Sequence, residues 1–214
     1  MKKGLKLCMI SGSFEYDSEI SLKIFSDFME TNYKIKPTTI IYKTEDDDIS
    51  LEPLDNTDFL LVFTRRLNTS GKELKRFQDY CANGKPIIGI RTASHAFQNW
   101  LVFDKEVLGG NYQGHYGAGP ITHVQISPEN KDHPILKGLS DFDSFGSLYK
   151  NIPIAEDTTL LLTGKTETNS EPVAWTRIHN GGRVFYTSLG QQKDFEQEMF
   201  LQLLANAVFY VVGK

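Results

Sequence analysis

The sequence has few cysteines and no long hydrophobic run. Two cysteines occur among 214 residues, and they form neither a disulfide framework nor a zinc-ligand pattern. No apolar stretch approaches the roughly 20 residues of a membrane-spanning helix. We therefore expect no membrane partner and a cytoplasmic location, while an export signal on a longer precursor stays an open alternative.

The sequence also lacks an excess of positive charge and the glycine-rich loops that bind phosphates. The formal net charge is −4 at pH 7, whereas nucleic acids and anionic membranes favour a basic surface. No Gly-x-x-x-x-Gly-Lys loop occurs, and no Gly-x-Gly-x-x-Gly turn follows the first predicted strand. We expect a small-molecule ligand without nucleic acid, cofactor or metal, and we leave open whether the chain forms a homo-oligomer.

Apolar runs alternate with amphipathic segments through the first half of the chain. Strands are predicted at Leu5–Ser11, Thr38–Tyr42, Asp58–Thr64 and Pro86–Ile90, and helices at Glu19–Glu30, Ser70–Asn83 and Ser94–Phe103. Two of the strands are apolar on both faces, which is typical of a parallel sheet covered by helices. The order predicts an α/β fold in one domain of residues 1–214: a doubly wound, mainly parallel sheet with helices on both faces.

The second half begins with a glycine-rich segment, Leu108–Pro120, that is predicted to be a long loop. Further strands are predicted at His123–Ser127, Thr158–Thr163, Val173–Ile178 and Arg183–Thr187, followed by a helix from Phe195 to Val212. For the helix Ser70–Asn83, the sequence predicts a capping box in which Ser70 is the N-cap and Glu73 its partner.

Candidate site residues follow from the rule that open α/β sheets bind ligands beyond the carboxyl ends of their strands. The residues that the predicted strand ends bring to this edge are Glu15, Tyr16, Arg65, Arg66, Arg91, Ser94, His95 and Gln191. Among them, Glu15 and His95 are candidates for proton transfer, and the others are candidates for ligand binding.

The segment Pro86–His95 predicts a strand, a sharp turn and the start of a helix, whose free N–H groups could bind an anion or an oxyanion. This arrangement resembles the nucleophile elbow of class I glutamine amidotransferases, in which the strand ends Gly-Ile-Cys. Here Arg91 stands where the cysteine would be. The partner histidine of these enzymes follows the last core strand, and the corresponding residues 187–192 contain no histidine. The resemblance implies the fold without cysteine-dependent glutaminase activity.

Five stretches in order resemble the trehalose-utilisation (ThuA-like) family: Gly89–His95, Leu108–His115, Asp132–Leu139, Val173–Trp175 and Gly182–Gly190. The resemblance implies a flavodoxin-like, class I glutamine amidotransferase-like fold and a role in sugar metabolism. It adds His115, which matches the family's loop histidine, as a catalytic candidate, and Tyr112 of the same loop as a ligand-binding candidate. Family members commonly have histidine at the positions of Arg91 and Gln191, so activity that requires those imidazoles is not implied.

Two functions are compatible with these residues, and we leave open whether the protein is an enzyme. The first is binding or conversion of a sugar or keto-sugar at the carboxyl edge of the sheet, with His115 or Glu15 as the base. The second is a non-catalytic module that binds a small anion or a protein partner through Arg65, Arg66 and Arg91.

The candidate residues also have purely structural interpretations. Arg91 could pair with Glu15 or cap a backbone carbonyl. Arg65 and Arg66 could be solvated loop residues, and His95 could only donate to a neighbouring carbonyl. The geometry of the site decides between these interpretations.

Overall fold

The computed structural model describes residues 5–117 and 121–213, which form three α-helices and a nine-stranded sheet. The strands are β1 (Leu7–Gly12), β2 (Thr38–Ile41), β3 (Phe59–Thr64), β4 (Ile87–Ile90), β5 (Thr122–Ile126), β6 (Phe142–Ser144), β7 (Thr159–Lys165), β8 (Ser170–His179) and β9 (Gly182–Thr187). The helices are α1 (Ser18–Tyr33), α2 (Gly71–Ala82) and α3 (Glu198–Val211). None of the helices in this described part is long and apolar enough to span a membrane.

One half of the sheet is parallel and has helices on both faces, as predicted. The strand order is β2-β1-β3-β4-β9-β8-β7-β5-β6, and its first five members run parallel to one another. Every residue of β1, β3 and β4 is buried. Helices α1 and α3 pack on one face of these strands and α2 on the other, which explains why the strands are apolar throughout.

The other half of the sheet is antiparallel, so the prediction of a mainly parallel, doubly wound sheet is wrong there. Strands β9, β8, β7, β5 and β6 pair antiparallel in that order. The cause is connection length: only Asn180 and Gly181 join β8 to β9, whereas parallel neighbours need a crossover of about a dozen residues or more. Both turn residues have positive φ, 49° and 87°, as a tight hairpin turn requires.

The predicted helix Ser94–Phe103 is not formed. A 3₁₀ turn covers Arg91–His95, irregular turns follow, and a π-helix covers Asp104–Leu108. The backbone N–H groups of Arg66 and Leu67 donate to the carbonyls of His95 (2.7 Å) and Ala96 (2.9 Å). These carbonyls would otherwise accept from the next turn of an α-helix, so the contact with the segment after β3 replaces helical hydrogen bonds.

The predicted capping box at α2 is also wrong. Ser70 does occupy the N-cap position, but its side chain makes no capping hydrogen bond. The Glu73 carboxylate is buried instead and accepts a hydrogen bond from the backbone N–H of Leu51 at 2.6 Å. Glu73 therefore ties α2 to the segment that precedes β3.

Candidate functional site

Arg91 begins the turn that follows β4, at the carboxyl edge of the parallel strands. Its φ of 46° lies in the left-handed region, which is uncommon for a residue with a side chain and often marks a functional turn. The phenol of Tyr186 donates to the Arg91 carbonyl at 2.7 Å and so helps to hold this conformation. The sharp turn that the sequence predicted after this strand is therefore present, but a 3₁₀ turn follows it instead of the predicted α-helix.

The side chain of Arg91 is buried among protein groups, with 1% of the residue exposed. One terminal nitrogen donates to the Ser188 carbonyl at 2.8 Å, and the other donates to the Tyr16 hydroxyl at 3.3 Å and the Ser147 carbonyl at 3.4 Å. The rings of Tyr16 and Tyr149 lie 4.4 and 4.6 Å from its guanidinium carbon, which is cation–π geometry. Arg91 therefore caps carbonyls and joins three segments.

Glu15 is not the partner of Arg91. Its carboxylate lies 3.1 Å from Nε of Arg65, and both side chains are partly exposed. The interpretation in which Arg91 pairs with Glu15 is thus replaced by an Arg65–Glu15 ion pair at the surface.

Four aromatic rings and the Arg91 guanidinium form a continuous column, in the order His95, Tyr112, Tyr149, Arg91 and Tyr16. The imidazole of His95 stacks on Tyr112 with 4.5 Å between ring centroids and 18° between planes, and Tyr112 lies 4.6 Å from Tyr149. We call this arrangement the aromatic column. It connects the turn after β4 with the glycine-rich loop and with the turn after β1.

His95 is held as a neutral imidazole. Only 7% of the residue is exposed, and Nδ1 lies 3.0 Å from the Ser94 hydroxyl. Burial lowers the pKa of His95 to about 3, and the positive charges of Arg65 and Arg66 add to this effect. At neutral pH its ring can therefore exchange hydrogen bonds with a ligand but carries no charge.

A cavity of 550 Å³ lies beside the aromatic column. Its lining includes four predicted site residues, Arg66, Ser94, His95 and Tyr112, and two charged residues that the sequence analysis did not select, Asp104 and Lys105. The volume is in the range of small-molecule sites, and the carboxyl edge of the sheet is where such a site is expected.

Asp104 is a second buried titratable group of this cavity, beside His95. Only 5% of it is exposed. Its Oδ2 accepts a hydrogen bond from the Tyr112 backbone N–H at 2.8 Å, whereas its buried Oδ1 has no hydrogen-bond partner among the described residues. Burial raises the pKa of this carboxyl to about 6. Asp104 can therefore both accept and release a proton near neutral pH, which is what general acid–base chemistry requires.

Sequence reasoning missed Asp104 because it fell just beyond the predicted helix Ser94–Phe103. One signal was available, since the residue directly follows the apolar run Trp100–Phe103 and precedes the buried Val107. It also begins the π-helix, a rare form that is frequent at functional sites.

His115 and Gln191 lie elsewhere on the same edge of the sheet. His115 is exposed, with Nδ1 2.8 Å from the Gly117 carbonyl, and its backbone pairs with that of Tyr149. Gln191 caps the 3₁₀ helix Gln192–Glu196 by accepting from the Lys193 N–H at 2.7 Å. Neither residue is among the described residues that line the cavity, and their predicted roles stay predictions.

The glycine-rich loop pairs with the segment 148–150, whose Tyr149 ring belongs to the aromatic column. The backbone N–H groups of Gln113 and Tyr116 donate to the carbonyls of Lys150 and Leu148, each at 2.9 Å. The last three residues of the predicted loop, 118–120, lie outside the described residues. Within the described ranges, no three His, Cys, Asp or Glu side chains form a group that could hold a metal ion.

A larger cavity of 740 Å³ lies on the surface of α3 and is lined by Tyr33, Gln202 and Asn206, among others. The polar groups of these residues are occupied with one another: the Gln202 amide donates to the Tyr33 hydroxyl at 3.2 Å and to Asn206 Oδ1 at 2.8 Å. Because the smaller cavity is lined by the Asp104 carboxyl of raised pKa and the neutral imidazole of His95, we take it as the candidate site.

The two cysteines are buried thiols far less acidic than a nucleophile needs to be. Burial raises the pKa of Cys8 to about 12 and also raises the pKa of Cys81. We expect the Cys8→Ala/Cys81→Ala variant to lose about 1–3 kcal/mol of stability while it keeps the ligand response of the wild type in a thermal-shift assay. A glutaminase activity that disappears in a folded double variant would contradict this expectation.

Comparison with known proteins agrees with this fold. Residues 12–211 match the family described as trehalose utilisation (ThuA). A ThuA-like protein from Bacteroides uniformis is 21% identical with a TM-score of 0.72, and the alignment covers 100% of this chain and 94% of that one. A ThuA-like protein from Parabacteroides merdae is 17% identical with a TM-score of 0.76, covering 99% and 91%.

A glutamine amidotransferase from Thermotoga maritima has the same general fold. It is 12% identical with a TM-score of 0.57, and the alignment covers 99% of this chain and 100% of that one. At such identities the structures demonstrate the fold alone. No functionally curated protein matches the sequence.

Proposed function

Because the chain belongs to the trehalose-utilisation (ThuA) family, we propose that it binds a sugar or keto-sugar in the cavity beside the aromatic column and transfers a proton on it. The family implies a carbohydrate-related role in general. The observation that carries the finer proposal is the Asp104 carboxyl, which is buried, has one oxygen without a partner among the described residues and lines the cavity together with the neutral His95.

The two groups suit proton transfer because their surroundings move their pKa values in opposite directions. Burial raises the pKa of Asp104 to about 6 and lowers that of His95 to about 3. A carboxylate of raised pKa is a stronger base than an ordinary one and is still ionised at neutral pH. The neutral imidazole can exchange a hydrogen bond with a carbonyl or hydroxyl group of the ligand.

The chemical step is enolisation of a keto-sugar. The Asp104 carboxylate takes the proton from the carbon next to the ketone, and the electron pair of the broken C–H bond moves to the carbonyl oxygen, which yields an enediolate. Asp104 then exchanges its proton with solvent and returns a solvent-derived proton to the same carbon, which completes exchange. Return of the proton to the neighbouring carbon, together with transfer of the hydroxyl proton to the former carbonyl oxygen, completes isomerisation. No oxidant or reductant is consumed.

The remaining lining suits a sugar. The amides of Asn111 and Gln113 line the cavity and donate to the Ile152 carbonyl at 3.3 and 2.8 Å, so their carbonyl oxygens can accept from sugar hydroxyls. Leu101 and Val102 line the same cavity and are about half exposed, at 50% and 48%. An apolar edge of this kind can pack against the C–H groups of a sugar ring.

The arginine-clamp alternative has less support. It requires Arg65, Arg66 and Arg91 to be available together, but the guanidinium of Arg91 is enclosed by two rings and donates to two carbonyls and a phenol. Arg65 is paired with Glu15, which leaves Arg66 as the member of the cluster without an ion pair to another described residue.

Deuterium exchange tests the proposed chemistry. In D₂O, the protein should accelerate incorporation of deuterium next to the ketone of 2-keto-D-gluconate, 5-keto-D-gluconate or D-fructose, followed by NMR. Asp104→Asn should slow this exchange by about 100-fold or more, since it removes the base.

Asp132→Asn, which changes an exposed carboxylate outside the cavity lining, is the matched control and should retain the wild-type rate. An unchanged rate in Asp104→Asn would remove Asp104 from the mechanism. A wild-type protein that binds the probes but exchanges none of their protons would reduce the proposal to binding.

A further inference from the structure

Two cationic side chains at the cavity, those of Arg66 and Lys105, could bind an anionic group of a ligand. Both are exposed and line the cavity. Arg65, Arg76 and Arg177 each form an ion pair, with Glu15, Asp55 and Asp157 respectively. In contrast, the side chains of Arg66 and Lys105 make no ion pair or hydrogen bond with another described residue. The charge of Arg66 is therefore available to a ligand, and so is that of Lys105, which also lowers the pKa of the nearby Asp104.

The exposed cations Arg66 and Lys105 lie at the mouth of the cavity, whereas its buried part contains a carboxyl group and a neutral imidazole. Asp104 and His95 are almost fully buried, at 5% and 7% exposure, and so form its floor. An anionic group next to Asp104 would face the carboxylate, whereas the same group beside Arg66 and Lys105 would be attracted and could form charge-assisted hydrogen bonds. The site is thus arranged for a ligand with one anionic end and one uncharged end.

We propose that the ligand is an acidic sugar, whose carboxylate lies between Arg66 and Lys105 and whose uncharged carbons reach Asp104 and His95. This proposal rests on the proposed function, because it names the substrate class of the same cavity. A sugar acid fits better than inorganic phosphate, because the cavity of 550 Å³ also presents the amides of Asn111 and Gln113 and an apolar edge.

Matched pairs of sugars test the proposal. D-glucuronate differs from D-glucose only by a carboxylate in place of a hydroxymethyl group, and 2-keto-D-gluconate differs from D-fructose in the same way. By isothermal calorimetry at low ionic strength, the acid of at least one pair should bind roughly tenfold or more tightly than its neutral partner. This preference should decrease as salt is added, because the two cations are exposed.

The variants for this test are Arg66→Gln/Lys105→Gln and the control Lys131→Gln. In the double variant the acid and its neutral partner should bind with similar affinity, and the variant should fold because both side chains are exposed. Lys131 is an exposed lysine outside the cavity lining, so its variant should behave as the wild type does.

The outcomes separate this inference from the function on which it rests. Equal affinity for both members of each pair, unchanged in the double variant, would overturn the acidic-sugar inference and leave sugar binding intact. Inorganic phosphate that binds as tightly as the acids would also overturn it, because the sugar would then contribute nothing. If neither member of either pair binds the wild type, both the inference and the proposed sugar binding fail.

Discussion

Replacing Arg91 with alanine should lower the free energy of unfolding by about 3–5 kcal/mol. The substitution empties the space between Tyr16 and Tyr149 and leaves the carbonyls of Ser188 and Ser147 without their donor. Large-to-small changes in a packed interior cost this much, and each unsatisfied buried carbonyl adds to the cost. At roughly 2–4 °C per kcal/mol, the melting midpoint should fall by about 6–20 °C.

A double-mutant cycle with Gly146 makes this prediction specific. A Cβ atom added to Gly146 would lie 2.6 Å from a terminal nitrogen of Arg91. Gly146→Ala should therefore cost about 1–3 kcal/mol in the wild type, as overpacking does, but much less once Arg91 is replaced by alanine. Urea denaturation of the four proteins gives the coupling energy.

Arg66→Ala is the matched control for the loss of an arginine from the same edge of the sheet. The Arg66 side chain is exposed, so this change should alter stability by only about 0.5 kcal/mol. Additive costs for Arg91→Ala and Gly146→Ala would contradict the contact between the two residues. A cost for Arg91→Ala no larger than that of Arg66→Ala would contradict its structural role.

The second large effect concerns Asp104→Asn and pH. Burial raises the pKa of the Asp104 carboxyl from 3.8 to about 6 in the folded protein. The folded state therefore binds a proton that the unfolded state has lost, and the stability due to this proton is complete below pH 3.8 and is lost as pH rises through about 6. A change of this size corresponds to roughly 3 kcal/mol.

The asparagine side chain of this variant carries no charge at any pH. The free energy of unfolding of Asp104→Asn, minus that of the wild type, should thus increase by about 3 kcal/mol between about pH 3.5 and about pH 7.5. Denaturant titrations of both proteins at several pH values measure this difference, in which the titration of other groups cancels. A difference that does not change with pH would mean that Asp104 titrates as an ordinary surface carboxyl.

His95 opposes Asp104 in the pH dependence of the wild type. Its pKa is lowered in the folded state from 6.5 to about 3, so the unfolded chain binds the proton more readily, and stability is lost as pH falls below 6.5. Between the two ordinary pKa values the contributions of Asp104 and His95 have opposite signs and partly offset each other. Asp104→Asn should therefore lose stability on acidification more steeply than the wild type, and His95→Gln less steeply.

The variant Asp104→Asn should have opposite effects on stability and on the proposed function. At neutral pH it should be more stable relative to the wild type than at low pH, yet it should lose proton exchange. Burying a carboxyl whose Oδ1 has no hydrogen-bond partner among the described residues costs stability. The proposed proton transfer would explain why an aspartate occupies this position.

Local patterns in the sequence were sufficient for the elements of the parallel half. The apolar runs predicted β1, β3 and β4 because both of their faces are covered, and helical periodicity predicted α1 and α2. The rule on strand ends also placed His95 and Ser94 at the cavity, since a strand's carboxyl end determines the edge at which the next residues lie. The two-residue connection Asn180–Gly181 is a local signal for the antiparallel pairing of β8 and β9, because so short a connection permits only a hairpin.

The burial and the pKa values of the candidate site were decided only by the tertiary structure. Burial beneath the glycine-rich loop raises the pKa of Asp104, and this outweighs the hydrogen bond from the Tyr112 N–H, which lowers it. Arg91 becomes a buried structural group because Tyr16 and Tyr149, distant in sequence, enclose it. Residue type and spacing determine secondary structure through local periodicity, whereas burial, unpartnered atoms and pKa values depend on contacts between segments that the sequence does not show as neighbours.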